Sequence, residues 1–176
     1  MKKVLLMIAQ SGFNLKEYGS PKEILGKGGI KVVTASNREE VAISSITDTE
    51  VEVDISIDKV NVSEYSGIFL IGGPGAIKYL NNSIVYNIIR EASIVCEVFG
   101  AICISTRILA KSGILSGKKV TGWNDDNELE NILNQAGAIY LKKPVVQDGK
   151  IITAWGPDTA EEFGQIILKN LWMKKD

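Results

Sequence analysis

The chain predicts an α/β fold, a layered sandwich built on a mostly parallel sheet. Three observations carry this. Short runs rich in Val and Ile recur along the chain, separated by longer segments of helical period. The runs are nearly continuous in apolar residues, the pattern of strands buried on both faces. Finally, 176 residues with 45% hydrophobic and 23% charged side chains match the averages of one soluble domain. A chain of that size buries roughly 70% of its unfolded surface and needs no disulfide or metal to hold its core.

Taken in order, Lys3 to Ala9 reads as the first strand, and Glu17 to Lys27 as a helix ended by Gly28-Gly29. Pro21 lies early in that helix, where its missing donor costs little. Ile30 to Ala35 is the second strand. Val51 to Ile57 alternates apolar and acidic residues, which predicts an edge strand with one solvated face. Gly67 to Ile71 and Val98 to Cys103 are the third and fourth buried strands, with a helix over Asn82 to Cys96 between them. A helix over Ser105 to Ser112 closes at Gly113, Lys119 to Thr121 is a short strand, and a helix over Asp126 to Gln135 closes near Gly137. Val145-Val146-Gln147 and Ile151-Ile152-Thr153 form a hairpin through Asp148-Gly149. Thr159 and Glu162 have capping-box spacing for a last helix ending near Leu171. No repeat, linker or low-complexity stretch divides the chain, so residues 1–176 are read as a single domain.

The composition excludes whole classes of chemistry. There is no histidine, so Ser-His-Asp and Cys-His mechanisms and His-ligated metal sites are impossible within this chain. Chemistry must come from carboxylates, thiols, Lys, Tyr or backbone amides. Twenty basic against twenty-one acidic side chains leave a net charge of -1, without the basic excess that nucleic acid requires. Met1-Lys2-Lys3 followed by Val4 to Ala9 mimics a signal peptide, but the apolar stretch is too short and reads as a strand. No apolar run approaches the roughly 20 residues that span a bilayer, so no membrane partner is expected. An extended segment between Cys96 and Cys103 holds them roughly 20 Å apart, too far for a bridge. Two free thiols suit a reducing cytoplasm, the expected location. With no CxxC motif and no dinucleotide fingerprint, neither a metal nor a cofactor is expected.

The strongest local signal is Ala101-Ile102-Cys103-Ile104-Ser105, ending a buried strand just before a helix. This is a nucleophile-elbow arrangement: the turn is sharp, and Ala101 and Ser105 supply small residues two positions either side of the nucleophile. The helix that follows aims amides and its positive end at Cys103, which favours thiolate. Without the elbow, a cysteine ending an apolar strand reads as a small core residue. Gly72-Gly73-Pro74-Gly75 follows another buried strand, and its amides, with that of Ile104, form a candidate oxyanion hole. The competing reading is a flexible strand-to-helix turn.

Here the chain resembles the ThiJ/PfpI superfamily, related in fold to class I glutamine amidotransferases. The resemblance rests on Phe13 to Pro21 with Glu17, on Leu70-Ile71-Gly72-Gly73, on Ala101-Ile102-Cys103 with Leu109 to Leu115, on Lys119-Val120-Thr121, and on Gly156 to Phe163. It implies a flavodoxin-like three-layer sandwich in which the elbow cysteine, Cys103, meets a glutamate, Glu17, with Gly72 and Gly73 lining the pocket. Thiolate and carboxylate repel at contact, so such a pair shares a proton. The implied activity is either glyoxalase- or deglycase-like chemistry on small reactive carbonyls, or oxidant sensing through a Cys103 sulfinate held by Glu17. The implied assembly is a homodimer, with Val51 to Ile57 or an early helix as contact.

Departures from the family pattern are specific. Ile104 and Trp123 stand where relatives carry histidine, Ser105 and Thr106 replace a glycine and proline, and Ile71 replaces a proline. A Cys-His protease is thereby excluded. Ser105, Trp123, Asn124 and Trp155 are expected to line the pocket, Arg107 to face solvent, and Cys96 to be structural. The alternative reading is a non-catalytic binding or structural relative that has lost the histidine-dependent chemistry.

Overall fold

The first strand, β1 (Lys3–Met7), feeds two separate cores with alternate side chains. Leu5 and Met7 join one apolar cluster, Val4 and Leu6 the other, and all four are fully buried. Burying each such side chain contributes about 1.5–3 kcal/mol, so one strand anchors both layers. The computed structural model describes residues 1–172. After β1 come β2 (Ser11–Phe13), β3 (Lys31–Ser36), β4 (Val41–Ser44), β5 (Glu50–Glu52), β6 (Ile55–Ser56) and β7 (Gly67–Leu70). Then follow β8 (Val98–Ile102), β9 (Lys119–Val120), β10 (Ile139–Tyr140), β11 (Val145–Asp148) and β12 (Ile151–Ala154). The helices are α1 (Leu15–Lys27), α2 (Ala76–Leu80), α3 (Ser83–Val95), α4 (Thr106–Ser112), α5 (Leu129–Gln135) and α6 (Ala160–Trp172).

Seven strands form the central sheet in the order β11-β12-β8-β7-β1-β3-β6, parallel except for β11. Tyr18 and Leu25 of α1 pack with Phe163, Ile167 and Leu171 of α6 on one face. Val85 and Ile89 of α3, Leu109 of α4 and Leu133 of α5 cover the other. The fold is therefore the flavodoxin-like three-layer sandwich that was expected. The chain leaves β1 through α1 to reach β3, and later crosses to β7 on the other side of β1. The order thus reverses between β1 and β7, the place where open α/β sheets form a ligand crevice at the carboxyl ends of their strands. No helix among the described residues is long and apolar enough to cross a membrane.

Five boundaries differ from expectation. The segment Val51 to Ile57 is not one edge strand: β5 pairs with β4 in a small separate sheet, and β6 pairs with β3 in the main one. Asp54 divides them, since its N–H donates to the Thr34 carbonyl (2.9 Å) and its Oδ2 accepts from Thr34 N–H (2.7 Å). Helix α1 begins at Leu15, because Asn14 Oδ1 accepts from the amides of Lys16 (3.0 Å) and Glu17 (3.1 Å). Pro21 is consequently interior and deprives the Glu17 carbonyl of its helical donor. Helix α5 begins at Leu129 rather than Asp126, since Asn127 takes a positive φ of 61° and Asn124 Oδ1 caps the Leu129 amide at 2.8 Å. Asp148 belongs to β11, leaving Gly149 (φ 59°) and Lys150 as the hairpin loop. The Thr159 hydroxyl turns back to the Gly156 carbonyl (2.8 Å) and amide (3.2 Å), so it forms no capping box with Glu162.

Candidate active site

Three chain segments meet at the crevice, each leaving the carboxyl end of a parallel strand. Glu17 comes from the first turn of α1 after β1, Gly72 and Gly73 from the turn after β7, and Cys103 from the turn after β8. The turn after β1 is fastened to the turn after β7: Asn14 N–H donates to the Gly72 carbonyl (2.9 Å) and Gly75 N–H to the Gly12 carbonyl (3.0 Å). Cys103 has φ 64°, a left-handed conformation that non-glycine residues adopt only when their surroundings enforce it. Ile102 upstream is fully buried, and Ser105 downstream is fixed by its hydroxyl, which donates to the Ile71 carbonyl at 2.8 Å. The elbow is thus gripped on both sides.

Glu17 is fully buried. Its Oε2 accepts the Gly72 amide at 2.9 Å, while Oε1 is buried with no hydrogen-bond partner among the described residues. A Cβ placed on Gly72 would lie 2.6 Å from both the Cys103 Cβ and Glu17 Oε2, so both side chains converge over a backbone that only glycine can supply. Burial pushes the Glu17 carboxyl from its ordinary 4.5 up to about 7, against the smaller opposing pull of the Cys103 thiol and the Gly72 amide. Burial and the adjacent carboxylate also push the Cys103 thiol up, outweighing the Ile104 and Gly73 amides that favour thiolate. This corrects the expectation that the following helix leaves the thiol acidic. Only a single turn of 3-10 helix, Cys103–Ser105, separates the cysteine from α4, and desolvation wins over that short dipole. At neutral pH the pair holds a thiol beside a carboxyl poised between its two protonation states.

The remaining predicted residues divide into two groups. Gly73 and Ile104 present amides to the Cys103 sulfur, whereas the Gly72 amide is spent on Glu17 and is unavailable to an oxyanion. Ser105 is fully buried and structural, so it lines no pocket. Trp123 donates its backbone N–H to the Cys103 carbonyl (3.2 Å) and its Nε1–H to Asp125 (3.1 Å). Its half-buried ring packs against the apolar cluster that contains Cys103. Asn124 and Trp155 line an open cleft of about 800 Å³ together with Thr121 and Tyr140, a lining that includes neither Cys103 nor Glu17. Cys96 is buried, its sulfur 3.4 Å from the Tyr65 carbonyl.

Arg107 is not solvent-facing. Its side chain is 13% exposed, Nη2 donates to Asp126 at 2.6 Å, and the guanidinium lies 5.3 Å from the centre of the Trp123 ring. Nothing in the sequence marks that pairing, because it depends on where the segment after β9 folds back. Asn14 was also missed, although its spacing to Glu17 is that of an N-cap and a third-position glutamate.

Comparison with known proteins accords with this geometry. The model of the DJ-1/PfpI family matches residues 2–170. An uncharacterised protein of Methanocaldococcus jannaschii is 36% identical over 168 residues, covering 95% of this chain and 81% of its own. The crystal structure of Drosophila melanogaster DJ-1beta superimposes with a TM-score of 0.86 at 31% identity, covering 97% of this chain and 90% of that one. A glutathione-independent glyoxalase of Caenorhabditis elegans is 24% identical over 149 residues, 85% of this chain and 77% of its own. Since the family model spans nearly the whole chain and a relative 36% identical covers it almost as fully, the chain belongs to the DJ-1/PfpI family.

Proposed function

We propose that this protein is a cysteine-dependent enzyme acting on small reactive carbonyls, with Cys103 as nucleophile and Glu17 as the acid–base group. The observation that carries this reading is the Glu17 carboxyl itself, raised to about 7 while touching the thiol. A general base works best when its pKa lies near the working pH, and here a carboxylate takes the role that histidine plays in Cys-His enzymes. No imidazole is required.

The reaction on an α-oxoaldehyde runs as follows. The Glu17 carboxylate takes the thiol proton as sulfur bonds to the aldehyde carbon, and the carbonyl electron pair moves to oxygen. The Gly73 and Ile104 amides, no longer needed by sulfur, receive that oxygen. Glu17 returns the proton to give a hemithioacetal, then removes the C–H proton from the same carbon and passes it to the ketone oxygen, giving an enediol; the proton of the first hydroxyl then moves by way of Glu17 to the former ketone carbon. The aldehyde carbon is thereby oxidised to a thioester and the ketone reduced to an alcohol. Water releases the 2-hydroxy acid and restores the thiol. The similarity to the C. elegans glyoxalase supports the same class of substrate.

Oxidant sensing is the less favoured reading, since peroxide reacts with thiolate and this thiol is pushed toward its protonated form. The deciding experiment is incubation with methylglyoxal. Formation of the hydroxy acid, abolished by Cys103→Ser and retained by Cys96→Ser, is expected. Oxidation of Cys103 without turnover would instead make the protein a sensor, and neither turnover nor oxidation would make it a non-catalytic relative.

A further inference from the structure

The charge that acts on the Cys103 thiol is negative. Glu17 is the charged group that touches Cys103, and it is anionic when it acts as base. Two cations neighbour the pair in sequence, and each is paired with a carboxylate: Lys16 lies 3.2 Å from Asp158 and Arg107 lies 2.6 Å from Asp126, although the buried Arg107 Nε has no partner among the described residues. Two apolar residues flank the Cys103 backbone, Ile104 in sequence and Trp123 through its N–H to the Cys103 carbonyl. Ile104 follows the nucleophile directly, and Trp123 packs against the cluster containing Cys103.

Trp123 is also held from three directions. Its backbone amide bonds to Cys103, its Nε1–H to Asp125, and the Arg107 guanidinium lies against its ring. The Arg107–Asp126 ion pair secures that guanidinium. A ring so restrained supplies a fixed wall, and a fixed aromatic wall rewards a flat apolar substituent while offering nothing to a charged one.

We propose that Trp123, positioned by Arg107, is a specificity-determining wall of the Cys103 site, and that the site selects uncharged carbonyls with apolar or aromatic substituents over anionic ones. Carboxylate-bearing carbonyls meet the Glu17 charge, while the neighbouring Lys16 and Arg107 are each already paired with a carboxylate. The inference rests on the carbonyl reading above for its substrates, but not for its selectivity, which any thiol reagent can report.

The test therefore has two arms. In the first, Cys103 is alkylated with iodoacetamide and with iodoacetate in the Cys96→Ser background, and the rate ratio is compared with that of free cysteine. The ratio should favour the neutral reagent roughly fivefold or more beyond free cysteine, and Glu17→Gln should return it to the free value. A ratio equal to free cysteine overturns the electrostatic part. In the second, kcat/KM is compared for phenylglyoxal and methylglyoxal. Wild type should prefer phenylglyoxal, and Trp123→Ala should lose roughly fivefold of that preference. Arg107→Gln should lose part of the same preference, and Arg107→Lys should restore little of it, since an ammonium lacks the planar face. An unchanged preference in Trp123→Ala overturns the wall. Absence of turnover by wild type, with the alkylation selectivity intact, would refute the carbonyl reading and leave the charge selectivity standing.

Discussion

Replacing Glu17 by glutamine should stabilise the protein at high pH, an unusual outcome for a buried residue of a candidate catalytic pair. The carboxyl is fully buried, and the Gly72 amide at 2.9 Å and the Cys103 thiol do not offset its desolvation, so the folded state favours its protonated form. Its pKa rises from 4.5 to about 7 on folding. Below pH 4.5 the group is protonated in both states and folding costs nothing extra. Between 4.5 and about 7 the folded state binds a proton that the unfolded state has released, so stability falls as pH rises. Above about 7 both states are ionised, and the full penalty, at 1.36 kcal/mol per pH unit, is about 3 kcal/mol. Glutamine keeps an oxygen for the Gly72 amide and carries no charge. Urea unfolding of wild type and Glu17→Gln at pH 4.5 and pH 8 should therefore show near-equal stability at the lower pH and about 3 kcal/mol in favour of glutamine at the higher. A difference independent of pH, or a variant less stable at pH 8, would refute the claim that desolvation dominates at Glu17.

Two further outcomes are expected. Gly72→Ala would force a methyl to within 2.6 Å of the Cys103 Cβ and Glu17 Oε2, costing about 1–3 kcal/mol in thermal unfolding and roughly a hundredfold in turnover; wild-type activity in that variant would contradict the convergence described. We propose that the expected homodimer uses the small β2-β4-β5 sheet and the turn after β4, where Val41, Ile43 and Ile46 are exposed and Ile46, 94% accessible, is held at φ 70°. Light scattering should give twice 19.1 kDa for wild type and a shift toward monomer for Ile46→Asp, whereas monomeric wild type would remove the proposal.

The parallel core was legible because its strands are continuous apolar runs, and the sharp turn at Cys103 because small residues stand two positions either side of it at a strand end. What the sequence hid were competitions between groups. Val51 to Ile57 alternates as a single strand would, yet the hydrogen bonds between Asp54 and Thr34 divide it between two sheets. The Gly72 amide looked free for an oxyanion until Glu17 was found to occupy it. The thiol looked acidic from the helix behind it, but the balance between a short dipole and burial depends on three-dimensional enclosure. Arg107 was misplaced because its partners, Asp126 and Trp123, lie in a segment whose path no local pattern reveals.

The absence of histidine gives the proposed mechanism its sharpest consequence, since Glu17 alone must move the proton. The pH dependence of methylglyoxal turnover measures this most directly. Wild-type kcat/KM should rise through an apparent pKa of about 7 as the Glu17 carboxylate forms, and Glu17→Gln should be roughly a hundredfold or more slower, with that rise gone. A flat wild-type profile from about pH 5.5 to 8, or a Glu17→Gln variant that keeps the wild-type rate, would contradict the account.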